Sequence, residues 1–189
     1  MAIKIVRRRS DHAVLFAAPV LALGDTMVTG DGWTCKNLDV TLLEILEVDG
    51  LPEFYVAGGW TYDNGAWTPN STGNQYMLPA KRAAKIAELE AARLALEYSD
   101  ITHAGQTWKT DTDARALLAQ VLSPGSVRAN AYWRDAAGAK HTMTYADLQA
   151  LGRAISDRGY DADETLETKK AAVAAAATAE EIDSITWES

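Results

Sequence analysis

Apolar and polar residues alternate with a period of two through the first third of the chain and switch to a period of three to four beyond it. Ile3, Ile5 and Arg7 alternate with Lys4, Val6 and Arg8, and the apolar run Ala13 to Ala18 follows a Ser10-Asp11 turn, which together predict a first β-hairpin. Gly24-Asp25 and Gly30-Asp31-Gly32 mark the next breaks. Within Thr41 to Val48, the residues Leu42, Leu43, Ile45 and Leu46 suit a buried strand or one helical turn, and the flanking Asp49-Gly50 favours the strand. The sharpest local signal is GGWTYDNGAWT at residues 58–68. There Asn64-Gly65 tolerates the positive φ angles of a tight primed turn, while Trp60, Tyr62 and Trp67 supply strand-favouring side chains.

The polar stretch PNSTGNQYML at residues 69–78 reads as a linker. From Pro79, a residue suited to a first helical turn, to Tyr98 the sequence is rich in Ala, Lys, Glu and Leu and predicts a helix. Ile86, Leu89, Arg93 and Leu96 recur at three- to four-residue spacing, as the seam of a short coiled coil does, and equally as the inner face of a helix lying on its own core. Ile101 to Ala104 and Thr107 to Lys109 flank a Gly105-Gln106 turn, and a helix is expected from about Asp113 to Leu122, stopped by Ser123-Pro124-Gly125. Ala131, Trp133 and Asp135 alternate before Gly138, with His141 and Met143 after it, predicting another hairpin. Thr144-Tyr145-Ala146-Asp147 has the form of a capping box and opens a helix with Leu148, Leu151 and Ile155 on one face, which breaks or continues near Gly159. Thr165 to Ala177 is Ala-rich helix, Thr178 to Glu181 is a second capping box for a short helix carrying Ile182 and Ile185, and Trp187 is expected to fold back as an anchor. The expected class is α+β: a small antiparallel β module over 1–68, a linker over 69–78, a connecting helix over 79–98, and a mostly helical module with short hairpins over 99–189.

Composition narrows the function. A length of 189 residues, 48% of them hydrophobic, suffices for one or two small cores. The formal net charge of −8 disfavours nucleic acid and anionic membranes as partners. Arg7-Arg8-Arg9 is too short to reverse that, and reads as a solvated strand end or a local contact to an acidic partner. The single Cys35 excludes an internal disulfide. No apolar run approaches the roughly 20 residues that span a bilayer, and Met1 to Arg9 lacks a signal-peptide core, so synthesis in a cytoplasm is expected.

Candidate chemistry is sparse. His12, His103 and His141 lie far apart and none has a second ligand at metal-site spacing. Asp111 with Asp113 opens like a calcium loop, but Ala116 and Leu122 stand where its Gly and Glu belong. That pair, and Asp161 with Asp163, read as acids complementing helix N-termini. No catalytic residue, cofactor or metal is therefore expected. The six tryptophans read mainly as core, with Trp60, Tyr62 and Trp67 near an exposed turn kept as a surface for a partner or for sugar stacking.

Three segments carry a resemblance. ITHAGQTWKTDTDARALL joins a Gly turn and an aromatic to a helix start, AYWRDAAGAKHTMTYADLQAL joins Trp-Arg and a turn to a capped helix, and ETKKAAVAAAATAEEIDSITW ends on a capping box and a Trp. Their order resembles a helical domain of unknown function found near the C-termini of tailed-bacteriophage tail proteins, over roughly the last 90 residues. The resemblance implies a structural or assembly role in a tail fibre, tail tip or baseplate, other tail proteins as partners, residence in the virion, and a homo-oligomer, most simply a trimer. It raises the expectation that Ile86, Leu89, Arg93 and Leu96 form an intermolecular seam. A tail-fibre assembly chaperone absent from the finished particle, and a glycan-binding receptor module, are the other expectations.

Overall fold

In the computed structural model, which describes residues 2–187, the first hairpin is β1 (Ile3–Arg8) paired antiparallel with β2 (Ala13–Ala18). Met1, Glu188 and Ser189, at the outer ends of the first and last expected modules, lie outside the described residues. Between Val6 and Arg7 the register slips: Val6 faces Phe16, Arg7 faces Val14, and Leu15 becomes the extra residue of a bulge. The slip sends Val14 into a cluster with Ile5 and Val48, whereas Leu15 and Phe16 both pack with Val6, Leu21, Val28 and Leu43.

Three strands lie where the sequence showed only breaks. β3 (Leu21–Leu23), β4 (Met27–Gly30) and β5 (Trp33–Lys36) form a separate antiparallel sheet, whose Leu21 and Val28 close one of these clusters. Gly32 turns β4 into β5 at a φ of 76°, and the Trp33 ring lies over Gly30, where a Cβ would collide with it. After a 3-10 turn at Val40–Leu42 come β6 (Leu43–Val48), β7 (Trp60–Asp63) and β8 (Ala66–Pro69), completing a five-stranded antiparallel sheet in the order β6-β1-β2-β7-β8. Asn64 and Gly65 have φ angles of 47° and 87°, the primed turn expected there.

Residues 69–78 are not a linker. Pro69 ends β8, and α1 (Ser71–Tyr98) starts eight residues before Pro79, which therefore sits inside the helix. Asn70 accounts for the early start. Its Oδ1 accepts from the Thr72 and Gly73 amides at 2.9 and 3.1 Å, as an N-cap does, and its Nδ2 donates to the Gly58 carbonyl at 2.8 Å. The first turn of the helix is thereby tied to the strand hairpin, and Gly59 and Gly73 pass so closely that a Cβ on Gly59 would lie 2.9 Å from the Gly73 Cα.

The chain divides into two compact units, Met1–Ala83 and Ala84–Ser189, with the boundary inside α1. The second unit contains the rest of α1 and two short hairpins, β9 (Ile101–His103) with β10 (Gln106–Trp108) and β11 (Tyr132–Arg134) with β12 (Lys140–Thr142). Its helices are α2 (Thr112–Leu122), α3 (Tyr145–Ala175) and α4 (Ala179–Ser184). Both expected capping boxes form, at Thr144 with Asp147 and at Thr178 with Glu181. Helix α3 runs through Gly159 without a break and serves two cores. Its Leu148, Leu151 and Ile155 pack with Trp108, Leu118 and Met143; its Leu166 and Val173 pack with Leu89 of α1, joined by Ile86, Ile185 and the anchoring Trp187. Each such aliphatic side chain, fully buried, contributes about 1.5–3 kcal/mol.

Two arginines hold the C-terminal end of α1. Arg158 donates to the carbonyls of Glu97 and Asp100 at 2.8 and 3.2 Å and to the Thr110 hydroxyl at 2.7 Å. Arg115 donates to the Glu97 carboxylate at 3.1 Å and to the Thr110 carbonyl at 2.9 Å, with its guanidinium 4.7 Å from the Tyr98 ring centre. Cations at this end complement the helix dipole and satisfy carbonyls that the helix leaves open. Burial, and then the neighbouring Arg115, lower the Arg158 guanidinium from its ordinary value, while Glu97 and Asp100 oppose the shift.

Candidate functional site

Within the second unit a groove opens between α2 and the β11–β12 hairpin. Asp111 caps α2 by accepting from the Ala114 amide at 2.8 Å, and Asp113 adds a charge that suits the first turn. The cap fixes which residues of α2 point inward: Leu118 enters the core, whereas Leu117, one position earlier, stays 51% exposed on the groove side. At the far end the chain turns at Gly125 and Asn130, with φ angles of 77° and 59°, and enters β11. Tyr132 is 41% exposed there and Trp133 is half-buried. The groove encloses about 860 Å³ and is floored by Leu117, Val121, Val127, Trp133 and Leu148.

Its rim is cationic. Lys109, Arg128 and Arg134 line it, and Lys140 stands beside it with its Nζ 4.5 Å from the centre of the Tyr132 ring, which Arg134 also approaches at 5.9 Å. Among the described residues none of these four cations has a carboxylate partner. Asp135 is the single acid in the lining, and its carboxylate is already engaged. Its Oδ2 lies 2.8 Å from His141 Nε2 and its Oδ1 accepts from the Ala139 amide at 2.8 Å. The His141 hydrogen bond, followed by that of the Ala139 amide, holds the Asp135 carboxyl below the usual carboxylate range against the opposing effect of burial. The His141 ring meets Trp108 edge-on at 5.4 Å, and the Ala136 amide donates to the Thr107 carbonyl at 2.8 Å, so the hairpin that forms one wall is fixed to β10. The arrangement is an apolar trough with positive edges.

The residues singled out from the sequence lie elsewhere. Leu89 is 1% exposed inside the chain's own core and Ile86 packs beside it. Arg93 pairs with Glu97 at 3.1 Å and Asp163 at 3.7 Å. Leu96, 37% exposed, is the one member of the expected seam left on the surface, because α3 occupies the face that a second copy would need. Trp60 is 5% exposed, and Tyr62 and Trp67 pack on each other at 4.8 Å and on the Ile5, Val14 and Val48 cluster, so the hairpin's aromatics are core and offer no open stacking platform.

The polar candidates are likewise spoken for. Arg7 is not a solvated strand end: its Nε meets the Glu44 carboxylate at 2.7 Å and its Nη1 donates to the Tyr62 carbonyl. His12 lies 3.1 Å from Asp63, and His103 accepts the Trp108 indole N–H at its carbonyl, 3.0 Å away. Among the described residues no group of three or more metal-ligating side chains occurs, and no helix is long and apolar enough to cross a membrane. The groove itself was missed in the sequence. Two signals were available: Leu117 beside Leu118 puts an apolar side chain off the inner face of α2, and Tyr132, Arg134 and Lys140 are the outward positions of a hairpin whose inward ones were identified.

Comparison with known proteins bears mainly on the second unit. No curated protein and no solved structure matches the chain. The match to a protein family spans residues 80–186, more than half of the chain and all of the groove, and by it the chain belongs to the family described as Domain of unknown function (DUF4376).

Proposed function

We propose that this chain works by docking onto other proteins as a structural component of a tailed-bacteriophage tail, in the fibre, tip or baseplate. The observation that carries the docking part is the groove: exposed Leu117 on α2 and Tyr132 on the β11–β12 hairpin, beside four cations without a carboxylate partner among the described residues. Exposed apolar side chains grouped beside aromatic and arginine residues are the composition of protein interfaces. The phage assignment rests on the resemblance of the last 90 residues to tail-protein C-terminal domains. Mass spectrometry of purified particles from the virus that encodes the chain tests it. Stoichiometric recovery with a tail protein supports the structural role. Presence in the infected lysate but absence from the particle would instead make the chain an assembly chaperone.

A further inference from the structure

We propose that the groove between α2 and the β11–β12 hairpin takes an acidic segment of a partner protein that presents one large apolar side chain. This inference rests on the docking reading and adds the chemistry of the occupant. Charge complementarity selects it. The chain as a whole carries −8, yet Lys109, Arg128 and Arg134 line one trough with Lys140 beside it, and Asp135 is the single carboxylate in the lining. Asp135, the acid that could neutralise them, is turned to His141 and the Ala139 amide. Four like charges held together cost free energy that an incoming carboxylate relieves, and the low-dielectric walls strengthen the attraction.

The floor sets the second requirement. The side chains of Leu117, Val121 and Val127 offer no hydrogen-bond partner, so a purely ionic ligand would leave their exposed parts in water, whereas a leucine or an aromatic side chain would cover them. Tyr132 contributes positive edge and not a free aromatic face, because Lys140 and Arg134 already lie against its ring. A basic segment is repelled by the same rim. The occupant is therefore a peptide with aspartate or glutamate on either side of a bulky apolar residue, its carboxylates on Arg128 and Arg134 and its apolar side chain between Leu117 and Trp133.

Fluorescence anisotropy of a fluorescein-labelled peptide with a central phenylalanine flanked by aspartates and glutamates, titrated with the full chain, tests this. Saturable binding is expected, weakened about tenfold or more by R128E/R134E or by Leu117→Asp, and weakened several-fold by raising the salt through the range where the Debye length shrinks. Peptides with lysine for the acids, or serine for the phenylalanine, should bind at least about tenfold more weakly. Circular dichroism establishes that each variant is folded; the peptide controls on the unaltered chain decide if one is not. Absence of saturation, equal binding of the lysine peptide, or unchanged binding by folded variants overturns the inference. So does a preference for phosphatidylglycerol vesicles, or a doubled mass in solution that Leu117→Asp abolishes. Peptide binding by a chain missing from particles would leave the groove assignment standing and remove the tail assignment; the converse result would do the reverse.

Discussion

The sheet of the first unit and the β11–β12 hairpin of the second treat their arginines and lysines in opposite ways. On the sheet of the first, Arg7 is set between Glu44, at 2.7 Å, and Asp63, at 3.6 Å, Arg9 reaches Glu44 at 3.5 Å, and His12 meets Asp63 at 3.1 Å, so strands β1, β6 and β7 are laced by their own side chains. On the β11–β12 hairpin of the second, Arg134 and Lys140 find no acid and rest against Tyr132. Pairing across strands stabilises a register; unpaired cations grouped around exposed apolar side chains contribute little to folding and remain available to a partner. On the docking reading proposed above, the sheet's charges serve the fold and the hairpin's cations serve recognition.

Buried apolar side chains should not distinguish the units, and this is where the largest effects are expected. Ile5→Ala in the first and Leu148→Ala in the second each remove a side chain with no more than 1% exposure, at an expected cost of about 2–5 kcal/mol. Chemical denaturation followed by circular dichroism measures both. A loss for Leu148→Ala much below that range would mean that the core under the groove is loosely packed, and would weaken the case for rigid walls.

Glycine substitutions should separate the units by sign. Gly73→Ala places a methyl group against the Gly59 carbonyl oxygen, backbone that cannot yield without moving β7 from α1, and should cost about 1–3 kcal/mol. Gly159→Ala, in the middle of α3 with open space around it, should stabilise by about 0.5–1 kcal/mol because alanine loses less backbone entropy in a helix. Melting temperatures of the two variants check the pair. Destabilisation by Gly159→Ala would show that α3 needs a hinge there.

The contrast in charges can be broken directly. Arg7→Ala leaves half-buried Glu44 with only the longer contact to Arg9 at 3.5 Å and removes a donor from the Tyr62 carbonyl, for an expected loss of about 1–2 kcal/mol. Arg134→Ala removes a surface cation that donates to the Gly138 carbonyl and lies near the Tyr132 ring, and should change stability by less than about 0.5 kcal/mol. Equal losses in urea denaturation would mean that the groove cations are structural, and the division of labour between the units would fail.

How much of this was readable in the residues differs between elements for physical reasons. Signals that act within four residues were clear: Asn64-Gly65 in the β7–β8 turn, and the boxes at Thr144 and Thr178 that open α3 and α4. Helix α1 starts earlier than the polar run before Pro79 suggests, because Asn70 followed by Ser71 and Thr72 is itself a capping signal. Strands β3 to β5 escaped because each is three or four residues long and draws its stability from β1 and β6 through Val6 and Leu43, a pairing distant in sequence. The helical spacing of Ile86 and Leu89 was real, but spacing shows only that a face is apolar and not which chain covers it. The groove was illegible for a related reason: Leu117 and Tyr132 come to line one groove only once α2 and the hairpin are folded around the core of Trp108 and Leu148.

The smallest expected effect concerns two carboxylates at the mouth of α3 and in the groove hairpin. In Asp147 the Thr144 hydroxyl, then the Thr144 amide, hold the carboxyl below its usual range, as His141 and then the Ala139 amide do for Asp135. A folded-state value below the unfolded one means that the unfolded chain takes up protons first. The stabilisation is therefore fully present above the unfolded value of about 3.9 and is lost as the pH falls through the lower folded value. Asp147→Asn and Asp135→Asn should accordingly melt below the unaltered chain near neutral pH, and each gap should close as the medium is acidified past the ordinary aspartate range. Thermal melts of the three proteins across that interval measure the convergence. A gap for Asp135→Asn that persisted in acid would show that the amide disturbs the hairpin through shape and not charge, and the wall of the groove would then depend on the fit of that side chain against His141.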